Sequence, residues 1–212
     1  MIQNITVAAD GAVWTGGIFL ETKTPSGDPV CVTLRFDGTS WEAHELPYSK
    51  YSPVYTVKAL GADSLFIGSG NGLVLRTSRA GTAFRLDAPA ASGAGDIFVD
   101  RSNVKWIVTS SNILSYDDAR WYNHEREIRD VKGLFPFGPN MVDHENVKWF
   151  TTRGGGILSN ANGVWRKYTE ENGTFIEQFS YTACTVDRLN VKWFVTETRG
   201  ILSFDGKKST WY

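Results

Sequence analysis

The chain is poor in the side chains that most often carry chemistry, with two cysteines, two methionines and three histidines in 212 residues. Cys31 and Cys184 lie far apart and make no metal-ligand spacing, and two are too few for a secreted disulfide framework. They are expected to be small buried hydrophobes. Neither sign of charge dominates: 22 basic and 23 acidic residues are mixed along the chain, without a basic tract or an acidic tail. That balance points away from nucleic acid or anionic lipid as a partner. No apolar run approaches the roughly 20 residues needed to cross a bilayer, so no membrane insertion is expected. No segment sustains a 3.6-residue period with caps, so helix should be nearly absent. Nucleophile motifs, phosphate-binding glycine loops and metal constellations are missing too, and neither a cofactor nor a metal is expected. The opening MIQNITVAADG lacks the basic and apolar regions of a signal peptide. The expected compartment is the cytoplasm if Met1 is the native start, and the periplasm or exterior if Met1 was added to a trimmed chain.

What the chain has is aromatic residues and glycine: eight Trp, eight Tyr, twelve Phe and 21 Gly. That mixture suits short strands joined by tight turns. It also has a repeat. DRSNVKWIVTSSNILSYDD begins at Asp100, DHENVKWFTTRGGGILSNANG at Asp143 and DRLNVKWFVTETRGILSFDG at Asp187. An aromatic after the turn marks the register at Trp14, Phe66, Trp106, Trp149 and Trp193. A second marks each repeat's end at Trp41, Phe84, Trp121, Trp165 and Trp211. Both series recur at about 40–50 residues and give five repeats, the first carrying an insertion.

Each repeat reads as four strands. In the fifth these are Tyr181 to Val186, Val191 to Thr196, Ile201 to Phe204 and Thr210 to Tyr212, with Asp205-Gly206 as a hairpin turn. Asp187 and Asn190 bracket the first turn, because Asx side chains bond nearby backbone and tolerate positive φ. The same capping explains Asp100 and Asp143 without a metal. Four-stranded repeats of this period predict an all-β, five-bladed β-propeller of antiparallel blades, a single domain over 1–212. Its blades fall at about 1–47, 54–88, 94–124, 137–170 and 178–212. The recurring Trp should fill the wedge between blades, while the adjacent Lys faces the other side of its sheet. The first repeat begins with its inner strand and the fifth ends with its outer strand. Closure should then rest on blade-to-blade packing alone, or the chain belongs to a larger assembly.

The series Asp-x-x-Asn-Val-Lys-Trp-Phe-x-Thr, Gly-Ile-Leu-Ser-Phe-Asp-Gly and Trp-x-x-Tyr resembles the two-component regulator propeller repeat. That repeat is found in sensor ectodomains and is related in fold to streptogramin lyase-like propellers. The resemblance is close over residues 94–212 and weaker in the first two repeats, where GADSLFIGSGNGLVLRTS replaces the Trp by Phe66. It implies a soluble ligand-binding or sensing module, without the membrane and kinase segments of that family.

Function in such a ring belongs to two loop sets. Those joining strands two and three are 22–29, 69–71, 110–112, 153–155 and 197–199. They offer Asn71 and Asn112, with Arg153 and Arg199 read as a recurring pair, each before a glycine. An Arg fork suits a carboxylate, a phosphate or sugar hydroxyls, or serves as a solvated turn residue. Those leading to the next blade are 47–53, 87–95, 123–140 and 170–178. Here Tyr48 and Tyr51, with Tyr55 just after, could stack on a sugar or simply cover the blade edge. A small polar ligand or glycan at the central face is the leading expectation, and a protein partner the next. The catalytic alternative is a streptogramin lyase-like enzyme using His124 as general base beside Glu125, although HEREIRD also reads as a solvated charged loop.

Overall fold

The computed structural model describes residues 2–17, 32–45, 54–60, 64–70, 74–77, 83–86, 93–109, 112–129, 138–152, 156–169 and 180–212. Among them the repeats become five four-stranded sheets, each an antiparallel meander. Repeat 1 comprises β1 (Ile2–Val7), β2 (Val13–Gly17), β3 (Val32–Phe36) and β4 (Trp41–Glu45). Repeat 2 comprises β5 (Val54–Ala59), β6 (Leu65–Ser69), β7 (Val74–Thr77) and β8 (Ala83–Leu86). Repeat 3 comprises β9 (Ala94–Val99), β10 (Lys105–Thr109), β11 (Ile113–Tyr116) and β12 (Trp121–Asn123). Repeat 4 comprises β13 (Asn140–Val142), β14 (Lys148–Thr151), β15 (Ile157–Ala161) and β16 (Val164–Tyr168). Repeat 5 comprises β17 (Tyr181–Val186), β18 (Lys192–Thr196), β19 (Ile201–Phe204) and β20 (Ser209–Trp211). No helix among the described residues is long and apolar enough to cross a membrane.

The chain packs as two bodies, Met1–Ile97 and Phe98–Tyr212, with the boundary inside β9. In the first body, Val54, Val57, Leu65 and Ile67 form a core against which Trp14 packs. In the second, successive sheets stack face to face, and strand alternation decides what meets what. Trp106 of β10 looks forward onto Phe150 of β14 at 5.7 Å between ring centroids. Trp149, the neighbour of Phe150, looks forward in turn onto Phe194 of β18 at 6.4 Å. The tryptophan side of each sheet is therefore its forward face. Trp106 and Trp149 are buried there, as core residues should be. Cys184, expected to be buried, is half-buried and packs at the edge of the Trp149 cluster. Cys31 lies outside the described residues.

The repeated aspartate caps its turn and does more. Asp143 Oδ1 accepts the backbone N–H of Glu145 and of Val147, at 3.0 and 2.9 Å. Asp100 and Asp187 do the same for the amides of Ser102 and Val104, and of Leu189 and Val191. The other oxygen of each accepts the indole N–H of its own repeat's tryptophan: Trp106 at 3.1 Å, Trp149 at 3.0 Å and Trp193 at 2.9 Å. Asn103, Asn146 and Asn190 close these turns at φ of 62–63°, as the Asx reading requires.

The lysine of Val-Lys-Trp lies opposite the tryptophan, as alternation demands, yet it is not solvated. Lys148 reaches back to Asp100 of the preceding repeat at 3.3 Å, and Lys192 reaches back to Asp143 at 3.1 Å. Each ammonium also sits over the preceding tryptophan, 5.2 Å from the Trp106 ring and 5.4 Å from that of Trp149. Burial pushes the Asp143 carboxyl up, but the Trp149 indole, the Val147 amide and Lys192 together hold it below the usual carboxylate range.

Candidate functional site

The expected ligand end of each sheet is where its second strand turns into its third. In the second body these turns are pinned by a recurring threonine. The hydroxyls of Thr109, Thr152 and Thr196 donate to the carbonyls of Asn112, Gly156 and Gly200, at 3.0, 2.8 and 3.0 Å. Each threonine's backbone N–H donates to the same carbonyl. Two hydrogen bonds thus tie the end of the second strand to the start of the third in each of these repeats.

Counted from these anchors, Thr152 matches Thr196 and Gly156 matches Gly200. Arg153 thus stands first in its turn and Arg199 third, so the shared position read from the sequence is not shared. The adjacent glycine misled that reading, because the run Arg153-Gly154-Gly155-Gly156 admits more than one register. Arg199 is exposed, its backbone N–H donating to the Thr196 hydroxyl at 3.1 Å and its guanidinium 4.8 Å from the Trp211 ring. Arg153 itself lies outside the described residues, as do Tyr48, Tyr51 and Asn71.

Asn112 occupies the position of Gly156 and Gly200, and its amide is turned inward. Its Nδ2 donates to Asn123 Oδ1 at 2.7 Å, and its Oδ1 accepts the Ile113 amide at 2.8 Å. Asn123 Oδ1 accepts the Glu125 backbone N–H as well, so Asn112 positions the loop that leaves β12. In the first body, Tyr55 is half-buried at the same end of repeat 2. Its ring lies so close to Gly70 that a Cβ there would sit 2.9 Å from the hydroxyl.

His124 is where sequence reasoning sees a base and the structure supplies a stacking residue. Its ring stacks on Trp106 at 5.1 Å and 17°, and faces Trp165 of the next repeat at 5.3 Å. Its Nε2 shares a hydrogen bond of 2.9 Å with Ser115 Oγ. Its backbone N–H pairs with the Ile113 carbonyl, just as that of Tyr212 pairs with the carbonyl of Ile201. Tyr168 pairs likewise with Ile157. His124, Tyr168 and Tyr212 are one recurring position, and Tyr168 and Tyr212 stand 5.3 and 5.7 Å from the Trp149 and Trp193 rings. His44 fills the corresponding place beside Trp14 in repeat 1, at 5.1 Å. The signal was present in the sequence as an aromatic or imidazole ring closing four of the five repeats, with Leu86 at that position in repeat 2. Glu125 is exposed, and the acid whose charge bears on His124 is Glu127.

Burial holds the His124 pKa below the ordinary histidine value, outweighing Glu127, and Lys148 adds to the depression. A histidine with a depressed folded pKa is neutral in both states above about pH 6.5 and contributes no pH dependence there. Below that pH the unfolded chain takes up a proton that the folded chain refuses, so stability falls as pH drops toward the folded pKa. His124→Tyr, which installs the residue of repeats 4 and 5, is expected to flatten the urea midpoint between about pH 6.5 and 5 while leaving the far-ultraviolet spectrum unchanged. An unaltered pH slope would show that the slope arises elsewhere.

Among the described residues no group of three or more His, Cys, Asp or Glu comes together to hold a metal.

No family model matches the chain, and no curated protein matches it. Among solved structures it is similar to YCF48 bound to D1 peptide, at 14% identity and a TM-score of 0.69, covering 99% of this chain and 66% of that one. It is also similar to the extracellular domain of the BT4673 one component system from B. thetaiotaomicron, at 14% identity and a TM-score of 0.71, covering 99% and 27%. The GH74 xyloglucanase from Xanthomonas campestris follows at 15% identity and a TM-score of 0.65, covering 99% and 38%. The chain thus spans less than two thirds of the length of each. At such identities the likeness is one of fold: an all-β chain of antiparallel four-stranded sheets, with propeller-like neighbours.

Proposed function

We propose that the five sheets are blades of a β-propeller and that the chain is a non-catalytic binding or sensing module. It takes a small polar ligand, a glycan foremost, at the loop end of the blades. Arg199 carries this reading: an exposed guanidinium over an aromatic ring, on a turn fixed by Thr196. Such a fork bonds a carboxylate, a phosphate or neighbouring hydroxyls, and the ring beside it offers an apolar contact. Arg153, Tyr48, Tyr51, Tyr55 and Asn71 belong to the same end of their repeats by sequence and would enlarge the surface. Asn112 acts behind it, because its amide is committed to Asn123 and Ile113. His124 and Glu125 take no catalytic part, since the imidazole fills a place that tyrosine fills in repeats 4 and 5. Two neighbours support a module that binds or senses, one solved with a peptide and one the extracellular domain of a one component system.

The test is a thermal-shift screen of the whole chain against mono- and oligosaccharides, organic anions and short peptides. A ligand of the native state at 100 times its Kd should stabilise the chain by about 2.7 kcal/mol. The expected hit is a saccharide or anion whose shift disappears in Arg153→Ala/Arg199→Ala. A shift that survives both substitutions would remove the site, and a response to peptides alone would favour a protein partner.

A further inference from the structure

The joint between consecutive repeats is made twice in the second body, and its parts stand ready a third time. Between repeats 3 and 4, Lys148 bonds Asp100, Asn146 Oδ1 accepts the Arg101 amide at 2.8 Å, and Arg101 Nε donates to the Asp143 carbonyl at 2.9 Å. Between repeats 4 and 5, Lys192 bonds Asp143, and Asn190 Oδ1 accepts the His144 amide at 2.9 Å. Each of these joints therefore needs two things from the later repeat: an asparagine in its first turn and a lysine before its tryptophan.

Repeat 5 presents the earlier partner's half of that joint. Asp187 has its turn amides and the Trp193 indole, as Asp100 and Asp143 have theirs, but no lysine reaches it among the described residues. Arg188 repeats Arg101, one residue after the aspartate, and is exposed. The forward face behind them is apolar and open. Trp193 and Val195 are half-buried, and Ile201 and Tyr212 are 41% and 68% exposed. The counterparts of Trp193, Val195 and Ile201 one repeat earlier, Trp149, Thr151 and Ile157, are 4%, 2% and 0% exposed. Positions that are core in repeat 4 thus face solvent in repeat 5.

None of the five repeats has a free matching half. Repeat 1 carries Gly11 and Val13 at the asparagine and lysine positions, and repeat 2 carries Asp63 and Leu65. In repeat 3, Lys105 is buried and bonded to Asp118 of its own hairpin. Lys148 and Lys192 are already engaged.

We infer that the forward face of repeat 5 is a docking surface for one more four-stranded sheet of this repeat type, bearing a turn asparagine and a Val-Lys-Trp lysine that Asp187 receives. The occupant is a repeat outside the five. The inference is independent of the ligand reading, because it concerns the flat of the blade and not its loop end.

Tyr168 and Tyr212 hold the same register position, so a copy of residues 169–212 appended after Tyr212 reproduces the repeat 4 to repeat 5 junction. In the extended chain, hydrogen exchange over Ala183–Val195 and at the Trp193 indole is expected to slow by about tenfold or more, with a higher Tm. Replacing the copied Lys192 by Met should undo most of that protection, and Asp187→Asn in the extended chain should act alike. An extension that leaves Trp193 as exchangeable as before would overturn the inference. So would equal protection with and without the copied lysine, since apolar packing alone would then suffice. Sedimentation of the unextended chain completes the test: a dimer that already protects Trp193 would give the face to a second copy and overturn the assignment.

Discussion

Asp143→Ala is expected to destabilise the second body by about 3–5 kcal/mol, the loss typical of a buried ion pair stripped of one partner. The carboxylate is fully buried and gathers two amides, an indole and an ammonium at one point in the fold. Its removal frees the Glu145 and Val147 amides and orphans the buried Trp149 indole. It also leaves Lys192, 4% exposed, without its counter-charge. The last of these dominates, because an uncompensated buried cation costs more than a lost hydrogen bond. Lys192→Met should be milder, near ~1–2 kcal/mol, since Asp143 keeps its amide and indole donors and methionine fills the same apolar channel beside Trp149. Urea unfolding followed by tryptophan fluorescence would read both. If Asp143→Ala lost less than Lys192→Met, the lysine would have to escape to solvent and the ion pair would not be what holds the two repeats together.

The pH dependence of that difference has a fixed sign. Asp143 is held below the usual carboxylate range, so its contribution is complete above about pH 4 and is lost as pH falls through the folded pKa. The gap between the native chain and Asp143→Ala should therefore be constant from neutrality down to about pH 5 and narrow below about pH 4. Asp187 is depressed as well, first by the Trp193 indole and then by the Val191 amide, but it is only half-buried, where Asp143 is fully buried, and the matching effect should be slighter.

Local patterns were legible in the sequence, and long-range pairing was not. The strands read as Tyr181 to Val186 and Ile201 to Phe204 are β17 and β19 to the residue, because alternation and Asx turns are short-range signals. Asn190 at positive φ and Trp149 in the core follow from the same logic. Lys148 and Lys192 were legible only as facing the side of the sheet opposite the tryptophan, since nothing within a few residues reveals an acid in the preceding repeat. A trace of it is present, however. Ala8 in repeat 1 is matched by Leu65 in repeat 2, apolar with apolar, whereas Asp100 and Asp143 are matched by Lys148 and Lys192. Only Lys105 follows a non-acidic residue, Leu60, and it alone turns to its own hairpin. The Arg153 and Arg199 pairing failed for the opposite reason: a neighbouring glycine is a weak register mark, and only the threonine-to-carbonyl closures fix the count.

Two of those closures also set the strictest backbone demand among the described glycines. Gly156 sits at φ +84°, and a Cβ on it would lie 2.2 Å from the Tyr168 carbonyl oxygen. Gly200 repeats this at φ +103°, with the Tyr212 carbonyl at 2.3 Å. The two substitutions are not equivalent, though their local geometry is. An L-residue in the left-handed region costs about 1–2 kcal/mol before any clash, and that contribution is common to both. The clash is different. Tyr168 is wedged between Trp149 and Phe204, at 5.3 and 5.5 Å, so its carbonyl cannot retreat without disturbing the core between repeats 4 and 5. Tyr212 is 68% exposed and can give way. Gly156→Ala is expected to lose about 3–4 kcal/mol, and Gly200→Ala about 2 kcal/mol or less. Hydrogen exchange should separate them further: Gly156→Ala should loosen β14 to β16 together, while Gly200→Ala frays only β20. Equal losses would mean that the left-handed conformation alone sets the penalty and that the outer strand follows the turn freely in both repeats.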